Sequence, residues 1–117
     1  MAVTTIPILR RCCGPDCAGT VAKTKFNEEQ LEQQASALHA LGDATRLKMV
    51  QLLAHHDSLC VCEIQEAFEL GQPTVSHHLK ILRDVGLIDS QRRGKWAYYA
   101  LRRDALKELT QHVQSLV

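Results

Sequence analysis

The chain has 117 residues, with 14 Lys and Arg, 13 Asp and Glu and a formal net charge of +1 at pH 7. This length allows one domain with one modest core, and the near-neutral charge argues against a general polycation that coats nucleic acid. No run approaches the roughly 20 apolar residues of a membrane span, and the first residues lack a secretory signal pattern. We therefore expect a cytoplasmic protein with no membrane partner.

The N-terminal segment differs in composition from the rest of the chain. It contains Pro7, Gly14, Pro15 and Gly19 and shows no apolar period, which is typical of an irregular segment. We predict a flexible, cysteine-containing arm over residues 1–25 and a folded domain over residues 26–117.

Two helices are predicted at the start of this domain. Asn27 with Gln30 three residues later resembles a capping box, so a first helix should run to about Leu41. Gly42 ends it, and Asp43 is placed to cap a second helix. Apolar residues fall at helical spacing in the first helix at Leu31, Ala35, Leu38 and Leu41, and should face inward in the second at Leu47, Val50, Leu53 and Ala54.

The next two helices are short and separated by a glycine. Ser58 offers a cap for a third helix with Val61, Ile64 and Phe68 on one face. Gly71 interrupts the pattern, and Pro73 suits the first turn of a fourth helix. In the fourth helix an apolar stripe of Val75, Leu79 and Leu82 lies opposite the polar residues Ser76, His77, Lys80 and Asp84.

After Gly86 the pattern of apolar residues changes from the period of a helix to that of a strand. Leu87 to Arg92 and Trp96 to Leu101 are predicted to be two strands joined by a turn at Arg93-Gly94. A last helix should run from about Arg103 to Leu116, with apolar positions at Leu106, Leu109, Val113 and Leu116.

Two short helices around a tight turn, followed by a hairpin with a basic tip, describe a winged helix-turn-helix. The sequence therefore predicts a mainly helical fold with a small β-hairpin as the wing. The polar residues at the start of the fourth helix suit hydrogen bonding to base edges in the major groove: Gln72, Thr74, Ser76, His77 and Lys80. Arg92, Arg93 and Lys95 at the hairpin tip are placed for phosphates or the minor groove.

The five cysteines form two groups, with Cys12, Cys13 and Cys17 in the arm and Cys60 and Cys62 at the start of the third helix. In a cytosolic chain we expect reduced thiols. At a helix start, irregular backbone angles allow both sulfurs of a Cys-x-Cys pair to turn toward one ion, and the helix N-terminus favours the thiolate. Soft sulfur ligands select soft ions. Because two sulfurs are too few, we expect the arm to supply a third, either within the same subunit or across a dimer.

Three strings make the sequence resemble the ArsR/SmtB family of metal-sensing bacterial repressors. They are ALGDATRLKMVQLL, LCVCEI and LGQPTVSHHLKILRDVGLIDSQRRGKWAYYAL, and the resemblance covers about Leu38 to Leu101. It implies a homodimer, built from the first and last helices, that represses transcription on a palindromic operator in double-stranded DNA. It also implies that Cys60 and Cys62, followed by Glu63, form a thiolate-sensing motif.

The resemblance leaves the inducer open between two kinds of ion. Adjacent Cys12-Cys13 resembles the arm of some arsenite sensors, whereas Cys13 and Cys17, four apart, resemble the arm of cadmium and lead sensors. Gln65 replaces the third cysteine of sensors that carry all ligands on one helix, and Asp104 and His112 lack the matching pair of an interfacial zinc site. We expect release by As(III) or Sb(III), as in arsenical resistance, with Cd(II) or Pb(II) as the alternative.

Two other classes of function use the same cysteines. A thiol enzyme needs a nucleophile with its own base and an anion-binding loop, which the sequence does not supply, so we predict that the protein is not an enzyme and requires no cofactor. A redox switch, in which an oxidant joins the arm to the third helix as a disulfide, remains an alternative.

Overall fold

The structure, a computed structural model, describes residues 24–117; the cysteine-containing arm lies outside this range except for its last two residues. The described part is mainly helical with one small sheet, which confirms the predicted fold class. The elements are α1 (Glu28–Leu41), α2 (Ala44–Ala54), β1 (Leu59–Cys60), α3 (Val61–Phe68), α4 (Gln72–Asp84), β2 (Ile88–Arg93), β3 (Trp96–Leu101) and α5 (Arg103–Gln114).

Side-chain caps begin the first two helices, as the sequence predicted. Asn27 Oδ1 accepts a hydrogen bond of 3.1 Å from the Gln30 backbone N–H. Asp43 Oδ2 accepts from the backbone N–H groups of Thr45 and Arg46, at 3.0 and 3.1 Å. Such bonds satisfy the free N–H groups of a first helical turn, so α1 and α2 begin directly after Asn27 and Asp43.

The sheet has three strands where the sequence predicted two. Leu59 and Cys60 form the short strand β1, and the strand order is β1-β3-β2 with both pairs antiparallel. Cys60, rather than Ser58 as predicted, is the N-cap of α3. A strand of two residues shows no alternation, so its sequence does not reveal it.

The turn of the hairpin lies one residue later than predicted. Arg93 pairs with Trp96, so the two turn residues are Gly94 and Lys95. Gly94 has φ of 64°, a conformation that glycine adopts without steric cost and that a tight hairpin turn requires at its first central position.

The core lies between the helices and the inner face of the sheet. The buried apolar side chains are Ala37, Ala40, Met49, Val50, Leu53, Leu59, Ile64, Val75, Leu79, Leu82, Leu87, Ile88 and Leu109. The predicted stripe of α4 is confirmed, because Val75, Leu79 and Leu82 are all fully buried.

Several other apolar residues stay exposed. Leu47 of α2, expected to face inward, is 53% exposed, and Met49 takes its place in the core. Leu31 and Leu38 of α1 are 44% and 45% exposed, and Val113 and Leu116 are exposed near the end of the chain. Helical spacing identifies an apolar face but does not say whether this chain or another one covers it.

Within residues 24–117 no helix is both long and apolar enough to span a lipid bilayer.

Candidate nucleic-acid interface and thiol site

Helix α4 presents a polar face opposite its buried stripe. Gln72, Thr74, Ser76, His77 and Lys80, the predicted base-reading residues, are all exposed. The stripe anchors the helix, so these side chains project from a fixed backbone. Their exposure agrees with the prediction, and contact with DNA remains a prediction.

Arg46 of α2 contacts His78 of α4, and the sequence analysis missed this contact. Arg46 Nη1 lies 3.3 Å from His78 Nδ1, and Arg46 Nε donates a 2.7 Å hydrogen bond to the Ala40 carbonyl. Because a guanidinium group only donates, His78 Nδ1 accepts. His78 is half-buried, and through Arg46 it connects α4 with α2 and with the end of α1.

The cap of α2 belongs to the same group of contacts. Hydrogen-bond donation from the Arg46 backbone N–H, reinforced by the positive charge of the Arg46 side chain and by the Thr45 backbone N–H, holds the pKa of the Asp43 carboxyl below its usual value. A carboxylate that accepts hydrogen bonds beside a cation keeps its negative charge to lower pH.

The wing carries the predicted basic residues, and Arg92, Arg93 and Lys95 are all exposed. Aromatic rings support two of these cations. The Arg93 guanidinium carbon lies 4.9 Å from the centre of the Tyr98 ring, and Lys95 Nζ lies 6.0 Å from the centre of the Trp96 ring. These distances fall within the range of cation–π attraction, so the rings restrict where the cations point.

Cys60 and Cys62 meet at the start of α3. Their Cα atoms are 5.4 Å apart and their sulfurs are bonded to each other, a separation that suits a disulfide. The two sulfurs therefore converge in this structure, and the reduced state expected for them in a cytosolic chain stays a prediction. The physical reason is the irregular backbone between β1 and α3, since Cys60 is extended with φ of −79° and ψ of 160°.

The surroundings of Cys60 are ordered by Glu63 and by the wing. Glu63 Oε1 accepts a 3.0 Å hydrogen bond from the Cys60 backbone N–H. Cys60 is buried, whereas Cys62 is exposed. On its other side, Cys60 pairs with Tyr98 of β3.

The pair does not make a complete soft-ion site by itself. Over residues 24–117 no group of three or more His, Cys, Asp or Glu side chains is arranged to hold a metal ion. The remaining predicted ligands, Cys12, Cys13 and Cys17, lie outside the described residues. As thiolates, Cys60 and Cys62 would supply two of the three sulfur ligands that a soft ion requires.

The unburied apolar residues of α1 and α5 form a second surface, the α1–α5 groove. It is lined by Phe26, Leu31, Leu38, Val113 and Leu116, among others. Beside it, Gln30 Nε2 and His112 Nε2 lie 3.2 Å apart and bridge the two helices. A concentration of exposed apolar side chains on one face marks a contact surface.

Comparison with known sequences identifies relatives over most of the chain. A family model described as "Bacterial regulatory protein, arsR family" matches residues 43–90. An HTH-type transcriptional regulator of Methanocaldococcus jannaschii is 40% identical over 75% of this chain and 99% of that protein.

Two relatives have names that include a resistance function. The arsenical resistance operon repressor of Bacillus subtilis is 40% identical over 62% of this chain and 70% of that protein. The cadmium resistance transcriptional regulatory protein of Listeria innocua is 37% identical over 69% of this chain and 68% of that protein.

A solved structure described as a possible member of the same family shares the fold of this chain. A homodimeric winged helix-turn-helix DNA-binding domain from Mycobacterium bovis, described as a possible ArsR-family regulator, superposes with a TM-score of 0.66. It is 28% identical, and the match covers 80% of this chain and 86% of that one. The chain therefore belongs to the arsR family of bacterial regulatory proteins and is a DNA-binding transcriptional regulator rather than an enzyme.

Proposed function

We propose that the protein is a homodimeric repressor that leaves its operator when As(III) or Sb(III) binds to Cys60, Cys62 and a third cysteine of the arm. The observation that carries this proposal is the convergence of the sulfurs of Cys60, the N-cap of α3, and Cys62, in its first turn. Helix α3 is the first helix of the DNA-reading unit, so an ion held there acts directly on the element that positions α4.

The α1–α5 groove supports the dimer. Leu31 and Leu38 recur seven residues apart on α1, and both leave nearly half of their surface in water. A second copy of the same groove would cover them, because a two-fold interface places the same patch on both subunits. Two copies of α4 then read two half-sites of a palindrome, about one helical turn apart.

The charge distribution supports specific binding to DNA. The chain is nearly neutral overall, but Lys80, Arg92, Arg93 and Lys95 are all exposed on α4 and the wing. These exposed cations neutralise phosphates, and Lys80 is included here although the sequence analysis grouped it with the base-reading residues; the amide and hydroxyl groups of α4 discriminate bases.

Binding of arsenite requires the thiol form of the pair. The bond between Cys60 and Cys62 must first accept two electrons and two protons from a dithiol, which becomes a disulfide in turn. Three thiols then replace the three hydroxyl groups of arsenous acid and release three molecules of water. The arm contributes Cys12, Cys13 or Cys17, in the same subunit or across the dimer.

Cd(II) or Pb(II) is the alternative inducer at the same site. These ions accept a fourth sulfur, which Cys13 and Cys17 together with Cys60 and Cys62 would supply. The cadmium resistance regulator among the relatives supports this alternative, as the arsenical resistance repressor supports the first.

Fluorescence anisotropy at fixed ionic strength tests the proposal. The probe is a labelled duplex that the reduced protein selects from a random-sequence pool, and arsenite and Cd(II) are added in separate titrations. We expect arsenite to release the duplex at stoichiometric amounts, Cys60→Ser and Cys62→Ser to abolish release, and the control Ser58→Ala to behave as wild type. Serine variants of the three arm cysteines, made one at a time, identify the third ligand. Bound protein that responds to neither ion refutes the sensing function.

A thiol redox switch is a second candidate, favoured by the bond between Cys60 and Cys62. Two thiols lose two protons and two electrons to an oxidant such as hydrogen peroxide, which becomes two molecules of water. If peroxide alone releases the duplex and a dithiol alone restores binding, the switch is redox. This result, with no response to arsenite in the reduced protein, favours the second candidate over the first.

A further inference from the structure

One face of the small sheet connects the thiol site to the wing tip. Cys60 lies opposite Tyr98, and Tyr98 lies opposite Gln91 on the other neighbouring strand. Directly opposed residues of antiparallel strands place their side chains on the same face. These three residues therefore form one row across the sheet, perpendicular to the strands.

The row ends at a wing arginine. Arg93 stands two residues after Gln91 on β2 and so shares its face. Its guanidinium group lies over the Tyr98 ring at 4.9 Å, and Nη2 donates a 3.5 Å hydrogen bond to Gln91 Oε1. Arg92 points to the opposite face and is not in contact with the Tyr98 ring, so Arg93 is the cation whose direction depends on this row.

We propose that Tyr98 transmits the state of the thiol site to the wing, by placing Arg93 for phosphate contact only while β1 is paired in its present register. This inference rests on the proposed function, because it describes how the same site releases DNA. Tyr98 is a positioning residue in this scheme and contacts neither the ion nor the DNA.

The geometry gives a physical reason for such coupling. Cys60 is at once the last residue of β1, the N-cap of α3 and a sulfur donor. A three-coordinate ion pulls the Cys60 sulfur toward a ligand outside the sheet, and the backbone of β1 must follow because the strand has only two residues. Tyr98 then loses its neighbour on one side, and the ring that supports Arg93 is free to turn.

Tyr98→Val tests the role of the ring, because valine keeps the preference for a strand but removes the surface below Arg93. Tyr98→Phe is the conservative partner, since phenylalanine retains a ring face for the cation. The measured quantity is the release factor, defined as the ratio of duplex affinity without arsenite to that with saturating arsenite. The release factor separates coupling from any general loss of DNA affinity.

For the wild type we expect a release factor in the range of about 5- to 150-fold, typical of coupled sites. Tyr98→Val should reduce the factor to below about one-third of the wild-type value, and Tyr98→Phe should preserve it. The arginines provide a matched pair. Arg93→Ala should weaken DNA binding and also reduce the factor, whereas Arg92→Ala should weaken DNA binding and keep the factor.

Trp96 provides a readout that needs no DNA. It is the only tryptophan of the chain, it is 48% exposed, and it stands on β3 two residues before Tyr98. We expect arsenite to change its emission in the reduced wild type and in Tyr98→Phe, but not in Tyr98→Val. This comparison stays informative even where a variant binds DNA too weakly for anisotropy.

The results distinguish transmission through Tyr98 from the sensing function itself. If arsenite releases wild type and Tyr98→Val by the same factor, the transmission through Tyr98 is refuted while the sensing function stands. If arsenite fails to release the wild type, the sensing function itself is refuted, and the transmission falls with it. Circular dichroism of each variant shows that the comparison is made between folded proteins.

Discussion

The α1–α5 groove makes a quantitative prediction about the dimer. In a single subunit, 45% of the Leu38 surface remains in contact with water. Complete burial of a leucine side chain stabilises by about 2 kcal/mol, so covering the exposed part is worth about 0.9 kcal/mol. A two-fold interface contains Leu38 twice. Leu38→Ala should therefore weaken dimerisation by about 1.8 kcal/mol, which raises the dimer dissociation constant about 20-fold.

Sedimentation equilibrium of the reduced protein over a series of dilutions measures this constant directly. Leu47→Ala is the matched control, because Leu47 is a leucine of similar exposure, at 53%, on α2 and outside the α1–α5 groove. It should leave the dissociation constant unchanged. Leu31→Ala, with 44% of its surface exposed, should resemble Leu38→Ala.

The opposite pattern would refute this reasoning. If Leu38→Ala dimerises as well as wild type and Leu47→Ala does not, the subunits meet through α2 and the α1–α5 groove has another occupant. If every variant and the wild type remain monomeric at all concentrations, the palindromic arrangement of two α4 helices has no physical basis.

The remaining predictions concern α4 and its supports. In anisotropy titrations, Lys80→Ala should lower the affinity for all duplexes and reduce the slope of log K against log salt by about 1 per subunit. The control Lys107→Ala, at an exposed lysine of α5, should change neither the affinity nor the slope. Leu79→Ala removes a fully buried side chain and should lower the free energy of unfolding by about 2–5 kcal/mol in urea titrations. Because the folded-state pKa of Asp43 is below its unfolded value, its contribution to stability is present above about pH 4, the ordinary Asp pKa, and is lost as the pH falls through the folded-state pKa. Asp43→Asn, which keeps a capping oxygen, should flatten this loss in thermal melts recorded at decreasing pH below about pH 4.

Each of these predictions has a result that contradicts it. An unchanged salt slope for Lys80→Ala would show that Lys80 contacts no phosphate. A loss of less than about 1 kcal/mol for Leu79→Ala would mean that α4 is not anchored by its stripe. Equal acid sensitivity of wild type and Asp43→Asn would place the origin of that sensitivity in other carboxyl groups.

Local signals in the sequence were sufficient to predict the helices. The caps at Asn27 and Asp43 and the position of Pro73 depend on side chains within a few residues of the helix start, so they can be recognised without tertiary information. The stripe of α4 was also predictable, since its period is that of the helix itself. Leu47 was wrongly expected in the core because a period defines a face and not its partner.

The contacts that connect the candidate site were not predictable in the same way. Arg46 and His78 are 32 residues apart, and Cys60 and Tyr98 are 38 residues apart in the chain. No local pattern brings such residues together; the topology of the sheet and the packing of α2 on α4 do so. The sequence indicated the chemistry of the cysteines and of the basic wing. The pairing of β1 with β3 shows that Cys60 and the wing are neighbours in one sheet.

The energy needed for release is small enough for this local geometry to supply it. Coupling between an inducer and DNA typically amounts to about 1–3 kcal/mol. A single hydrogen bond contributes about 0.5–1.5 kcal/mol, and an exposed cation–π contact contributes about 0.5–1 kcal/mol. Loss of one backbone hydrogen bond of the β1–β3 pairing, together with the Arg93 contact with the Tyr98 ring, reaches this range in each subunit, and a dimer contains both contacts twice. In the proposed mechanism, release of DNA therefore would not require that α3 or α4 unfold, because displacement of the two residues of β1 would supply enough energy.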